Sequence, residues 1–416
     1  MSQLRGKRCY TKMLQQEYPV GAWIPPIPEV VTTQEALNER YAEAKAVGIN
    51  LINATFEYAT PGALDRCLEA ARVNGQRVMI GMPHENEDTC VAIVRKTRDN
   101  PVVIGYTMKD EPTPEHFQQL GVLRDKLKAE ARDDQFIMCN LLPNYFTSWD
   151  EAPDPETGLT TYQKYIKDYM DIVRPDCLSL DHYPLGIEPA NDLALLKCFL
   201  KNLADIRNYG HQYGVETWGF IQSSGWNDRR EPNEKELRFV INLHLAFGLK
   251  ELTYFLYWQP WEMGKACDGY DYTGMITYQG KRSPIYERVD RLDKEWRIMA
   301  TACLDYDCQA FILTNLEEML VEGMTDAQVA DRFGRVEAIQ SEGKMFTGCF
   351  DNDKGSEGYF VVNFDYQGDS DSSARLTLKE PRAVKVWGKG GLEQTFSGDT
   401  VSVNLGPGDA KFIEIV

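Results

Sequence analysis

Val20-Gly-Ala-Trp-Ile24 runs straight into Pro25-Pro-Ile-Pro28, and that junction decides between two folds. An open dinucleotide-binding sheet would follow its first strand with a Gly-x-Gly-x-x-Gly turn cradling phosphate, and Pro-Pro-Ile-Pro offers none. Further short apolar runs follow at Ile49–Thr55, Arg77–Met82, Val102–Met108, Gln135–Asn140, Asp176–Leu180, Val215–Ile221 and Glu251–Tyr257. Amphipathic stretches lie between them, such as Thr33–Val47, Pro61–Val73, Pro114–Ala131, Thr161–Val173, Leu193–Tyr213 and Asn233–Phe247. Several close on a glycine (Gly48, Gly75, Gly214, Gly248), the residue that tolerates the left-handed turn ending a helix. Eight strands, each followed by a helix, over about 300 residues are the arithmetic of an α/β fold, a closed parallel (β/α)8 TIM barrel. A doubly wound open sheet is the alternative.

The rhythm changes near residue 305, after the amphipathic stretch Pro284–Cys303. Alternating segments then recur at Glu357–Phe364, Ala374–Leu378, Ala383–Trp387, Thr400–Leu405 and Lys411–Val416, separated by turn clusters such as Asp351-Asn-Asp-Lys-Gly355. The expected organisation is a barrel over residues 1–304 and a small antiparallel β-sandwich over 305–416. Met319–Ile339 is the least readable part.

The 416 residues carry 45 Lys plus Arg against 63 Asp plus Glu, a formal charge of −18. Nucleic acid is therefore not an expected partner. No run approaches the roughly 20 apolar residues of a spanning helix, and the basic start Met1-Ser-Gln-Leu-Arg-Gly-Lys-Arg8 has no apolar stretch behind it. A membrane partner is not expected, and the expected location is cytoplasmic. The 10 cysteines include no Cys-x-x-Cys pair, which suits buried free thiols in a reducing compartment. Oligomeric state, including a homo-oligomer, is left open.

In a barrel of this kind the chemistry comes from the C-terminal ends of strands. Those ends supply Trp23, Asn53 and Glu57, then His84, Glu85 and Glu87, then Lys109, Asp110 and Glu111. Asn140 and Asn144 follow, with Asp181, His182 and Tyr183, then Gln222, Ser223 and Trp226, and last Tyr257, Trp258, Gln259, Trp261 and Glu262. Carboxylates mixed with aromatics describe a carbohydrate site, because glycosidic cleavage uses carboxyl groups and sugar rings stack on aromatic faces. Ser223-Ser-Gly225 is the one phosphate-like element, and Trp258 and Trp261 stand where glycines would complete it. His84 and His182 lack metal-ligand spacing and suit hydrogen bonds to sugar hydroxyls, so neither a metal nor a cofactor is expected. His116, His211 and His244 fall in helical stretches and Trp218 lies mid-strand, which suits structural roles.

Gly105-Tyr-Thr-Met-Lys-Asp-Glu-Pro112 resembles the fourth-strand motif of clan A glycoside hydrolases, usually Asn-Glu-Pro. The likeness continues in Asp181-His-Tyr-Pro184, in Leu245-Ala-Phe-Gly-Leu-Lys250 leading to Tyr254-Phe-Leu-Tyr-Trp258, and in Leu405-Gly-Pro-Gly-Asp-Ala410. It is similar in general to β-galactosidase-type barrels with a small C-terminal β-domain and to uncharacterised glycoside hydrolases of gut bacteria. The resemblance implies a glycosidase acting on a small oligosaccharide or glycoside, with Glu111 as general acid/base and Trp258 as the platform under the sugar. A competing reading of Asp110-Glu-Pro is helix capping, but Thr113-Pro-Glu115 already makes a good helix start.

The sequence departs from the pattern at the seventh strand, where Gln222 stands in place of the nucleophilic Glu. Three explanations stay open: an inactivating Glu→Gln change, a substrate-assisted mechanism in which Asp110 orients an acetamido group, or another carboxylate (Asp181, Glu57 or Glu262) serving as base. Glu216 begins that strand, roughly 20 Å from its end at about 3.3 Å per residue, and is rejected. The class-different alternative is a catalytically silent sugar-binding barrel, and a phosphate-handling barrel would place the amides of Ser223–Gly225 around an anion.

Overall fold

A computed structural model describes residues 17–26, 31–54, 62–83, 85–266, 268–321, 324 and 332–416. Eight parallel strands close into a barrel in sequence order: β1 (Val20–Trp23), β2 (Leu51–Ala54), β3 (Arg77–Gly81), β4 (Val103–Asp110), β5 (Phe136–Leu141), β6 (Cys177–Leu180), β7 (Glu216–Gln222) and β8 (Glu251–Phe255). The helices are α1 (Gln34–Ala46), α2 (Ala63–Val73), α3 (Glu87–Thr97), α4 (Phe117–Glu130), α5 (Thr161–Ile172), α6 (Asp192–Tyr213), α7 (Glu234–Ala246) and α8 (Pro284–Ala302). Local chemistry sets their ends. Asn233 caps α7 through Lys235 and Glu236 N–H groups while Glu236 returns a bond to the Asn233 N–H, a capping box. The left-handed Gly214 (φ 66°) closes α6.

Inside the barrel, Leu51, Met79, Ile104, Phe136, Met138, Cys177 and Trp218 form an apolar plug. Polar side chains stand with it, and three of them form a hydrogen-bonded column. Asn53 Nδ2 donates to Thr253 Oγ1 at 2.7 Å, and that hydroxyl donates to Glu251 Oε1 at 2.6 Å. A Cβ at Gly21 would lie 1.9 Å from Thr253 Oγ1, so only glycine lets this column form. Burial pushes the Glu251 carboxyl from 4.5 up to about 8, against the lowering effect of the Thr253 and Gly21 hydrogen bonds.

A raised carboxyl pKa means that the folded state holds its proton longer than the unfolded one. Stability from this group is therefore fullest below about 4.5 and is lost as pH rises toward about 8. Glu251→Gln is expected to flatten that decline, read from denaturation midpoints between pH 5 and 8. An unchanged slope would remove Glu251 as its source.

The C-terminal domain is one seven-stranded antiparallel sheet built from β9 (Asp307–Thr314), β10 (Val336–Ser341), β11 (Met345–Asp351), β12 (Glu357–Asn363), β13 (Ser372–Gly388), β14 (Gly391–Leu405) and β15 (Ala410–Ile415). Its order is β10-β13-β15-β12-β11-β9, with β14 on β13. The expected segments Ala374–Leu378 and Ala383–Trp387 are one strand, β13, whose pairing with β14 shifts between Thr377 and Arg382. One face encloses a core that includes Tyr359, Val361, Leu376, Val401 and Ile413. The other meets the barrel, where Phe247 packs on Phe311 (4.5 Å) and Phe346 (5.2 Å) and Phe239 on Tyr366. Trp387, near the end of β13, is only partly buried and packs against the large core cluster shared by the barrel and the sheet. All eight described cysteines are free and buried, and no described helix is long and apolar enough to cross a membrane.

Candidate active site

The site is organised by a one-residue irregularity in β4. Thr107 pairs with Met138, yet the next pair is Asp110 with Asn140, so β4 uses an extra residue over the same span. Such a bulge re-aims side chains, and bulges concentrate beside active sites. It brings Asp110 level with Asn140, whose Nδ2 donates to Asp110 Oδ1 at 3.1 Å and whose Oδ1 accepts from Ser179 Oγ at 2.9 Å. Glu111 follows in the left-handed region (φ 46°), with its N–H on the Asn140 carbonyl at 2.9 Å. For a residue with a Cβ this conformation stores strain, and here it turns consecutive carboxylates into one space. Neither caps the next helical segment. Thr113 and His116 do so, with Thr113 N–H donating to His116 Nδ1 at 3.2 Å.

Asp181, just beyond β6, completes the group. It is 9% exposed, and one of its oxygens has no hydrogen-bond partner in the protein. Asp110 and Glu111 open to solvent on one side, while protein mass elsewhere thins the water around them. Glu111 is raised from 4.5 to about 7, first by this desolvation and then by Asp110, with a hydrogen bond from Asp181 pulling the other way. Asp181 is pushed well above the carboxylate range by burial and by Glu111 and Asp110, partly offset by its own backbone hydrogen bond and by Tyr183. Carboxyls this close share a proton rather than both ionising. Asp110 is raised by desolvation, opposed by the Asn140 amide and Lys109.

An aromatic wall stands beside the carboxyls. Tyr183 packs on Trp226 (5.0 Å, 88°) and on Phe255 (5.0 Å), and Trp226 and Phe255 both contact Tyr272. Trp23 meets Phe220 edge to face at 5.5 Å on the barrel's inner side. Tyr145, 40% exposed, carries the Arg229 guanidinium 5.5 Å over its ring and feels the charges of Asp181 and Glu111. Phe255, Tyr145, Arg229 and Tyr272 were not singled out by the sequence. Alternation from the inward Glu251 and Thr253 is the signal that leads to Phe255.

Several sequence expectations are corrected by placement. Trp258, expected as the sugar platform, is fully buried, with Arg40 of α1 stacked 5.5 Å from its ring. Tyr257 is equally buried, near Glu43 and Tyr286. After Phe255 their N–H groups bond the carbonyls of Trp23 and Ile24, and both rings lie against the outer helices. His182 is buried against Phe199, its Nδ1 2.8 Å from Asn202 Oδ1, and desolvation lowers it to about 3. It is a neutral structural group rather than a ligand for hydroxyls. Glu262 pairs with Lys265 on an exposed loop, and the Trp261 Nε1–H donates to the Tyr270 carbonyl at 3.1 Å. Asn144 is also buried, bonded to Asn202 and Cys198. Glu57 and His84 lie outside the described residues.

Gln222 is corrected most sharply. It is fully buried; its Oε1 accepts from Leu185 N–H at 2.9 Å, and its Nε2 donates to the carbonyls of Leu185 and Arg230, each at 3.0 Å. The amide clamps two loops, with no group left for a ligand. The phosphate alternative fails at the same place, because Ser223 and Ser224 N–H groups both bond Phe255 O and Gly225 N–H bonds Thr273 Oγ1.

Comparison with known proteins places the fold. The chain is similar to a glycoside hydrolase family 5 structure from Bacteroides vulgatus ATCC 8482, at 11% identity and TM-score 0.55 over 96% of this chain and 89% of that one. It shares the barrel-plus-sheet architecture of that protein. A β-galactosidase from the psychrophilic Marinomonas ef1 matches at 13% identity and TM-score 0.49 over 68% of this chain, which spans only 60% of that longer one. A GH27 β-L-arabinopyranosidase from Geobacillus stearothermophilus matches at 10% identity and TM-score 0.48 over 97% of this chain and 98% of that one. At such identities the likeness is one of fold. No protein-family profile matches the chain, and no curated protein matches it by sequence. Among the described residues no group of three or more His, Cys, Asp and Glu has a metal-binding arrangement.

Proposed function

We propose that the protein is a glycoside hydrolase whose reacting groups are Asp110, Glu111 and Asp181. The observation carrying this reading is the convergence of three carboxyls from β4 and β6, one of them raised to about 7, beside an aromatic wall. Glycosidic cleavage requires a protonated acid at the leaving oxygen and an ionised carboxylate at the sugar. Glu111 is the acid, because it can hold a proton at neutral pH and surrender it. Asp181 shares that proton, and its hydrogen bond tempers the rise that desolvation and Asp110 impose on Glu111. Asp110, steadied by Asn140, is the ionised carboxylate that attacks C1, activates water or steadies a substrate acetamido group. The sugar face lies on Phe255 and Trp226, in place of Trp258. The fold shared with glycoside hydrolase structures supports the reading.

The test is release of sugar from disaccharides and nitrophenyl glycosides, with and without 2-acetamido groups, comparing the chain with Asp110→Asn and Asp181→Asn. Product anomer read by NMR then assigns retention or inversion. Activity lost in both variants supports the roles, whereas sugar binding without turnover across the panel supports a silent binding barrel. On an active substrate, Phe255→Leu is expected to raise KM about fivefold, since an aromatic face contributes on the order of 1 kcal/mol beyond its area. An unchanged KM would move the platform elsewhere.

A further inference from the structure

We infer that the C-terminal sheet positions the loops of the candidate site through Tyr366, acting by way of Asp192 and Arg230. Tyr366 is 5% exposed and lies flat on Phe239 of α7 (4.3 Å, 11°), which fixes its hydroxyl across the domain boundary. That hydroxyl donates to Asp192 Oδ2 at 2.6 Å, with Gln367 Nε2 on the same oxygen at 3.2 Å. Asp192, the first residue of α6, takes Arg230 in a two-pronged contact, Nη1 to Oδ1 at 2.9 Å and Nη2 to Oδ2 at 2.5 Å. Arg230 Nε and Nη2 also hold Glu236 Oε1, at 3.0 and 2.8 Å. Planar two-pronged contacts fix orientation as well as distance.

Arg230 is the node from which this order reaches the site. Its Nη1 donates to the Gly186 carbonyl and its own carbonyl accepts from Gln222, whose amide holds Leu185 at both ends. The preceding residue, Arg229, donates to the Tyr183 carbonyl at 3.0 Å and covers Tyr145. The segment carrying Asp181 and Tyr183 and the segment carrying Trp226 and Arg229 are thus fastened together, and the fastening is anchored in the other domain. Tyr366 is accordingly a positioning residue. The relevance to catalysis rests on the proposed function, but the anchoring can be measured without any substrate.

The experiment is hydrogen–deuterium exchange of the full chain with Tyr366→Phe, which keeps the stack on Phe239 and removes one charge-assisted hydrogen bond. Peptides covering residues 181–187 and 225–231 are expected to exchange about tenfold faster, the scale of such a bond, while β5, β11 and β12 keep their rates. Arg230→Lys, which keeps the charge and loses the fork, is expected to give the same local pattern. Unchanged loop rates in both variants would overturn the proposal, and so would acceleration spread evenly through the chain. Failure of the glycosidase panel would leave this result standing, because exchange reads only the loops.

Discussion

Glu111→Gln is expected to lower kcat/KM on any cleaved glycoside by about 10³-fold, the scale of losing a positioned general acid. The amide matches the carboxyl in shape and keeps the φ 46° backbone at the end of β4, so the fold should survive. The pH profile carries the sharper signature. An acid must be protonated to act, so activity should fall as pH rises through about 7, where desolvation and Asp110 place Glu111. Asp181→Asn replaces the carboxyl whose hydrogen bond lowers Glu111 with an amide that cannot share its proton, so the alkaline limb should move as well as the rate. An alkaline limb that stays put in Asp181→Asn would separate Asp181 from the acid, and a Glu111→Gln enzyme with ordinary rates would end the assignment.

Gln222→Glu is expected to destabilise the protein by about 3 kcal/mol and to create no activity. A carboxylate has no donors, so the carbonyls of Leu185 and Arg230 would lose theirs and face a negative charge in a fully buried position. Leaving a buried charge uncompensated costs about 3–5 kcal/mol. The group can lessen this by staying protonated, and stability should then fall with rising pH as that proton is lost. Thermal melts at pH 5 and 8 measure both effects. A variant as stable as the parent that gained turnover would restore the strand-seven position as a nucleophile.

The barrel was legible because its strands and helices follow different periods, and because Asp110, Glu111 and Asp181 stand where strand ends meet loops. The aromatics were less so. Trp258 is the most conspicuous ring after β8, yet the chain's path past Phe255 turns it toward Arg40, a tertiary outcome that local pattern does not carry. Gln222 looked like a substituted catalytic residue because its position in the chain says nothing of Leu185 and Arg230. In the second domain, the β14 burial pattern alternates over its last residues, and Thr400–Leu405 reads as a strand. By contrast β11 is buried along nearly its whole length between the barrel and the sheet's own core. A strand covered on both faces has no alternation to read.

The extra residue in β4 bears on how chains like this one are compared. Inward positions along a regular strand are an even number of residues apart, whereas Thr107 and Asp110 are three apart and both stand level with inward partners on β5. An alignment counting through β4 without a gap would set Lys109 against another barrel's inward carboxylate and carry every following residue one step out of phase. A gap placed between Thr107 and Asp110 restores the match, so distant kinship is better sought by superposing strand ends than by matching letters.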